Sequence, residues 1–132
     1  MKKDPVVHFE IPYEDNKRIV DFYGKVFGWE SQVLGDDMDN YVLVTATERG
    51  EGGFPKEPGR INGGFFKKSD RPMQYPSIVI AVEDVVDSIK RVENAGGKVL
   101  GEPMEIPGYG LYVSIIDTEG NRIALMQPTG QM

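Results

Sequence analysis

Cysteine is absent from this chain of 132 residues. That excludes disulfide staples, thiolate nucleophiles and thiolate metal ligands, and it suits a reducing, cytoplasmic setting. Histidine and tryptophan each occur once. With a single imidazole and no activated serine in evidence, no nucleophile triad can be assembled. Basic residues are in the minority, 15 Lys and Arg against 21 Asp and Glu, for a net charge of −6. No basic run exceeds two residues, and one such as Lys67-Lys68 is too little to neutralise a phosphate backbone, so a nucleic-acid partner is excluded and the acidic balance reads as a solvated surface. No apolar run is long enough to cross a bilayer, and Lys2-Lys3 leads at once into Asp4-Pro5 and a strand rather than a signal peptide. A soluble, intracellular protein without a membrane partner is expected.

What is present is a plan stated twice. Residues 6–66 and 76–127 each give a strand, an amphipathic helix and three further strands. In the first strand Val7, Phe9 and Ile11 share one face while His8 and Glu10 share the other. Glu14-Asp15-Asn16 then offers helix-capping acids, and Ile19, Phe22, Tyr23, Val26 and Phe27 recur at helical spacing until Gly28 ends the stripe. Strand-like runs follow at 29–34, 41–46 and 60–66, separated by Gly35-Asp36-Asp37 and by the Gly- and Pro-rich stretch 49–59. That stretch is either an ordinary flexible connection or a lid tipped by Phe54. Gly63-Gly64 sits inside a strand, where it marks close packing or a bulge rather than a phosphate loop. The second copy places a strand at 77–82, a helix capped by Glu83-Asp84 and carrying Val85, Ile89 and Val92, and a stop at Gly96-Gly97. Its last strands fall at 98–100 (reaching 102), 111–117 and 122–127, the last two joined by a turn over 117–121.

Several phrases carry a resemblance: Arg18-Ile19-Val20-Asp21-Phe22-Tyr23-Gly24-Lys25-Val26-Phe27-Gly28-Trp29, Gly96-Gly97-Lys98-Val99, Ile106-Pro107-Gly108-Tyr109-Gly110, and 117–128, from Asp117-Thr118-Glu119-Gly120 to Gln127-Pro128. Together they resemble the vicinal oxygen chelate superfamily of glyoxalases, bleomycin resistance proteins and extradiol dioxygenases, over nearly the whole chain. The resemblance implies an α+β fold, a single domain over 1–132 in which two βαβββ modules, about 5–68 and about 75–128, form a cup-shaped mixed sheet with the helices on the convex side. The inward parity is then His8 and Glu10, Asn62, Gly64 and Phe66, Ser77, Val79 and Ala81, and Arg122, Ala124 and Met126, joined by Tyr112 and Ser114. Tyr41, Phe66, Tyr109, Tyr112 and Met126 would wall an apolar cavity for a small-molecule ligand, whereas Phe22, Tyr23, Phe27 and Trp29 would belong to the helix–sheet core. A homodimer follows by analogy with the family.

Metal-using members of that superfamily place one ligand on each of four strands. By resemblance His8 occupies the first ligand position; the others fall at Ser77, Ala124 and either Asn62 or Gly64, none of which replaces His or Glu in strength. A full divalent site is therefore not expected, with Glu10, about 6.6 Å along the same strand face, the one residue that could be recruited beside His8. His8 is left with three readings: a general base with a near-neutral pKa tuned by Glu10, a hydrogen-bond donor to a ligand, or a polar residue satisfied by its neighbours. Arg122 could clamp a carboxylate or phosphate, or pair with Glu119 or Glu10. Two functions stand: a metal-free small-molecule binding protein, and a lyase or isomerase using His8 and Glu10 with or without an atypical metal. A structural or regulatory domain with a filled cup is a third.

Overall fold

The structure, a computed structural model, describes residues 2–72 and 74–129. It is α+β, and it divides into two compact units: His8–Pro76, and Ser77 onward together with the residues up to Val7. The strand β1 (Val6–Tyr13) opens the first βαβββ module, followed by α1 (Asn16–Phe27), β2 (Glu30–Val33), β3 (Val42–Thr45) and β4 (Asn62–Lys67). Its strands lie in the order β2-β3-β4-β1, with β4 parallel to β1 and the other pairs antiparallel.

Helix α1 starts where Asp15 accepts a hydrogen bond from Arg18 N at 3.1 Å, and stops at Gly28, whose φ of 74° places it in the left-handed region that glycine adopts without strain. It lays Ile19, Val20 and Tyr23 against Tyr13, Val42, Val44 and Phe65, with Phe9, Ile11 and Trp29 completing the cluster. Phe65 is fully buried, so this core holds the sheet and helix in one geometry. Two aromatic residues depart from the expected core: Phe22 and Phe27 are more than half exposed. Adjacent helix residues diverge by about 100°, so once Ile19, Val20 and Tyr23 face the sheet, Phe22 is turned to the flank. Phe27, in the last turn, stacks on Tyr23 at 5.8 Å and lies tilted against Trp29 at 5.7 Å between ring centroids, leaving its outer face open.

The second module runs β5 (Ser77–Ala81), α2 (Val85–Asn94), β6 (Lys98–Ile106), β7 (Gly110–Ile116) and β8 (Arg122–Pro128), with strands in the order β5-β8-β7-β6. Val82, Val85, Val113, Ile115 and Leu125 form its buried core, flanked by Ile80, Ile89, Val92 and Ile123. The α2 start is satisfied twice over: Asp84 accepts from Val86 N and Asp87 N, and Gln127 Oε1 reaches across from β8 to accept from Val85 N at 2.9 Å. The turn into β8 is closed by Asp117, which accepts from Glu119 N and Asn121 N.

Strand β6 is longer than its sequence suggests. It continues to Ile106 through a register shift between Leu100 and Met104, with Gly101 at φ 81°. Pro103 falls in that irregular stretch, where its missing N–H breaks no ladder bond. The gap between the strands expected at 98–102 and 111–117 shrinks accordingly to a turn at 107–109, in which Tyr109 N donates to Ile106 O at 2.9 Å. The stretch 49–59 is likewise more folded than an open excursion: Gly50 N donates to Phe54 O at 2.7 Å, and Gly52 lies against the Phe54 ring.

Candidate functional site

Strand register decides which side chains share a face. In module one His8, Glu10 and Pro12 of β1 stand beside Asn62, Gly64 and Phe66 of β4, and Leu43 of β3 stands beside Gly64. This is the face turned away from α1, because Phe9 and Ile11, the alternate residues of β1, pack into the helix-side core. On it Tyr41, two residues before Leu43, reaches its hydroxyl between the two polar residues of β1. Its oxygen lies 3.0 Å from His8 Nε2 and donates to Glu10 Oε2 at 3.3 Å. Glu10 is buried, at 7% exposure, and among the described residues it is the one charged member of the buried set.

Gly64 makes this approach possible. A Cβ there would fall 1.8 Å from the Tyr41 hydroxyl oxygen and 2.3 Å from Cε1, so the phenol occupies the room a side chain would take. Gly63, the next residue, does the same on the other face, where a Cβ would sit 2.4 Å from the Phe9 ring. The glycine pair thus marks close packing on both faces of β4, the first of the two roles its position allowed. Tyr41, by contrast, is a hydrogen-bonding member of the polar group rather than only part of an apolar wall. Its signal in the sequence, a tyrosine opening a strand, is too common to have singled it out.

Of the three readings of His8, the general base with a near-neutral pKa is the one that burial of the ring works against. Burial disfavours the imidazolium and lowers the pKa from 6.5 to about 4. The ring is therefore neutral at physiological pH, able to accept or donate one hydrogen bond at each nitrogen according to its tautomer. Asn62 has a structural role in addition to its position on this face: its side-chain oxygen accepts from Ala46 N at 2.7 Å and Thr47 N at 2.8 Å, holding the chain where it leaves β3.

In module two the same reasoning groups Val79 with Ala124 and Ala81 with Met126, and Tyr112 with Met126 and Ser114 with Ala124. Val113 and Ile115 lie in the helix-side core, so Tyr112 and Ser114 take the opposite face. Arg122 Nη2 donates to Ser114 Oγ at 3.2 Å. Ser77 donates its hydroxyl to the Arg122 carbonyl at 3.0 Å, which ties β5 to β8.

These side chains do not fit a divalent metal centre. At the family's ligand positions Ala124 has no donor, the Ser77 hydroxyl is engaged by a backbone carbonyl, and the Asn62 oxygen is shared by two amides. Among the described residues no group of three or more His, Cys, Asp or Glu stands together. His8 and Glu10 offer one nitrogen and one carboxylate, fewer than the three or four strong donors a stable site requires. Two open recesses lie elsewhere in module one, at the start of α1. One of about 240 Å³ is lined by Tyr13, Asp15, Asn40 and Lys67, and one of about 430 Å³ by Pro12, Arg18, Ile19 and Phe22. Neither contains a neutral base beside a buried acid, and the Tyr13 hydroxyl is held by Asn40 O at 2.6 Å. The chemistry, rather than the volume, points to His8, Tyr41 and Glu10.

Residues 6–125 match the Glyoxalase/Bleomycin resistance protein/Dioxygenase superfamily, and the chain belongs to it. The anthracycline biosynthesis protein DnrV of Streptomyces peucetius is 28% identical over 129 residues, covering 89% of this chain and 44% of the relative. The corresponding protein DauV of Streptomyces sp. (strain C5) matches to the same extent. The chain thus spans less than half the length of these curated relatives. Among solved structures, methylmalonyl-CoA epimerase from Mycobacterium tuberculosis superposes with a TM-score of 0.65 at 16% identity, over 94% of this chain and 87% of the other. A superfamily member from Vibrio splendidus 12B01 gives 0.63 at 16% identity, over 95% and 99%. At such identities the likeness is one of fold. No helix of the described residues is long and apolar enough to cross a membrane.

Proposed function

We propose that this chain is a small-molecule binding member of the superfamily that works without a resident metal, its ligand engaged on the helix-free face of module one by His8, Tyr41 and Glu10. The carrying observation is the Tyr41 hydroxyl held between a neutral imidazole and a buried carboxylate. A polar set of this kind, placed on a sheet face, orients a ligand through hydrogen bonds without needing an ion. The helix-free face of module two, with Ser77, Tyr112, Arg122 and Met126, is read in the same way as ligand-facing, Phe66 and Asn62 being the corresponding residues in module one. We assign the protein to the cytoplasm on its lack of cysteine, and a homodimeric state by analogy with the family.

The curated relatives are named for anthracycline biosynthesis, which makes flat, oxygen-rich aromatic compounds the first to try. Titration of an anthracycline, followed by its fluorescence or by that of Trp29, is expected to give saturable binding that EDTA leaves unchanged. Replacement of His8 by Ala is expected to weaken it about tenfold, the loss of one buried hydrogen bond. Binding abolished by EDTA, or untouched by the His8 change, would sink the proposal. A lyase or isomerase is the second reading, favoured by one observation: a neutral imidazole linked through a phenol to a carboxylate can pass a proton. Turnover lost in His8→Ala with affinity retained would select it.

A further inference from the structure

The tyrosine between His8 and Glu10 has one hydroxyl proton for two neighbours. Its oxygen lies within hydrogen-bond distance of both the imidazole Nε2, at 3.0 Å, and Glu10 Oε2, at 3.3 Å. A carboxylate accepts hydrogen bonds and donates none, so toward Glu10 the phenol must be the donor. A hydroxyl that donates to Glu10 has only its lone pairs left for His8, and Nε2 must then carry the hydrogen. The imidazole is neutral, because burial favours that form, so the other nitrogen, Nδ1, keeps its lone pair. Among the described residues Nδ1 has no hydrogen-bond partner. Among the described residues the buried side-chain polar atom without a partner is Ser31 Oγ, on β2, rather than this nitrogen.

We infer that Tyr41 is a positioning residue that fixes His8 as the Nε2–H tautomer, so that the atom His8 offers a ligand is the Nδ1 acceptor and the matching ligand group is a hydrogen-bond donor, a hydroxyl, phenol or N–H. This rests on the reading of the His8 face as ligand-binding, and it narrows it. A ligand presenting only carbonyl or ether oxygens to His8 would meet a lone pair with a lone pair, whereas a hydroxylated one gains a bond. The order of protons also explains why the phenol has to be held so closely. Gly64 leaves it the space, and a β-carbon at that position would occupy the place of the hydroxyl. The device depends on two side chains from β1 and one from the residue just before β3, and on the absence of a fourth from β4.

His8 is the one histidine of the chain, so a single imidazole appears in a long-range ¹H–¹⁵N correlation spectrum and needs no assignment. In uniformly ¹⁵N-labelled full-length protein without ligand, at neutral pH, Nε2 is expected in the pyrrole-like region and Nδ1 in the pyridine-like region. The Nε2–H form is expected to dominate by about tenfold or more, the preference a hydrogen bond within a charged chain can impose. In Tyr41→Phe the two nitrogens are expected to move toward the averaged positions of a free imidazole, while the rest of the amide spectrum stays dispersed. Gly64→Ala is expected to produce the same averaging with the phenol still present. Pyrrole-like Nδ1 in the wild-type protein would overturn the inference, since it would place the proton on Glu10 and reverse the chain. Unaltered imidazole signals in a folded Tyr41→Phe protein would overturn the role of Tyr41. Failure to bind anthracyclines or related compounds leaves the tautomer measurement standing, and a reversed tautomer with binding intact leaves the proposed function standing, so the two fail separately.

Discussion

Replacing Gly64 by Ala is the sharpest perturbation of this protein, because its effect can be worked from distances. The new Cβ would lie 1.8 Å from the Tyr41 hydroxyl oxygen, 2.1 Å from Cζ and 2.3 Å from Cε1, whereas ordinary contact begins near 3.4 Å. The backbone of Gly64 is fixed by its pairing with Glu10 on one side and Leu43 on the other, so the flexible partner, the phenol, must retreat by about 1.6 Å. From starting lengths of 3.0 and 3.3 Å, that retreat takes both hydrogen bonds beyond the range in which they stabilise anything. Losing a neutral bond and one to a buried carboxylate costs about 2–4 kcal/mol in total. Urea unfolding followed by the fluorescence of Trp29, which packs in the same module on Phe9 and Tyr23, should show the midpoint falling with an unchanged slope. Gly24→Ala is the matched comparison. Its Cβ meets nothing closer than Trp29 O at 3.5 Å, and within α1 the change should stabilise by about 0.5–1 kcal/mol. A Gly64→Ala protein within about 0.5 kcal/mol of wild type, with its imidazole signals unchanged, would refute the wedged phenol and everything built on it.

His8 also predicts a pH dependence. Its pKa falls from 6.5 in the unfolded chain to about 4 in the folded one, so between those values the unfolded state binds more protons, and stability drops as pH falls from 6.5 toward 4 and is flat above. The contribution lost is between about 1 and 3 kcal/mol, the lower end allowing for solvent at a partly exposed ring. Unfolding free energies at pH 7.5, 6, 5 and 4.5 should fall more steeply in wild type than in His8→Asn, and equal slopes would contradict the desolvated ring. Gly110→Ala should be more damaging to module two: φ is 142° and a Cβ would stand 2.0 Å from the Gln127 carbonyl oxygen. That contact is with backbone, so the end of the β7–β8 ladder must open, and a loss of at least about 2 kcal/mol is expected in thermal or urea unfolding. Asp84→Ala removes acceptors for Val86 N and Asp87 N and should cost about 1 kcal/mol, read as a matching drop in the denaturation midpoint.

The sequence by itself determined the order of elements, the capping stretches Glu14-Asp15-Asn16 and Glu83-Asp84, the halt at Gly28 and the parity of β1, and the structure then chose Asp15 and Asp84 as the caps. Each of these is a local matter of helical or strand period and of a cap within three residues, so a linear reading reaches them. The family resemblance added the expectation that the metal positions are largely refilled by weaker groups. Tertiary structure decided what a period cannot express. The helix stripe was wide enough to hold five apolar residues, and only packing against Phe65 and Val42 chose Ile19, Val20 and Tyr23 over Phe22 for the core. Strand β6 ran past Gly101 and Pro103 because an irregular register can accommodate both, a property of the pairing and not of the segment. Above all, Tyr41 lies 31 residues from Glu10 and 33 from His8 in the chain, and nothing in its neighbours announces that Gly64 leaves room for its hydroxyl between them. Hydrogen bonds of that span exist only once strand register has brought β1, β3 and β4 together, and register sets the polar group from which the function of this protein is argued.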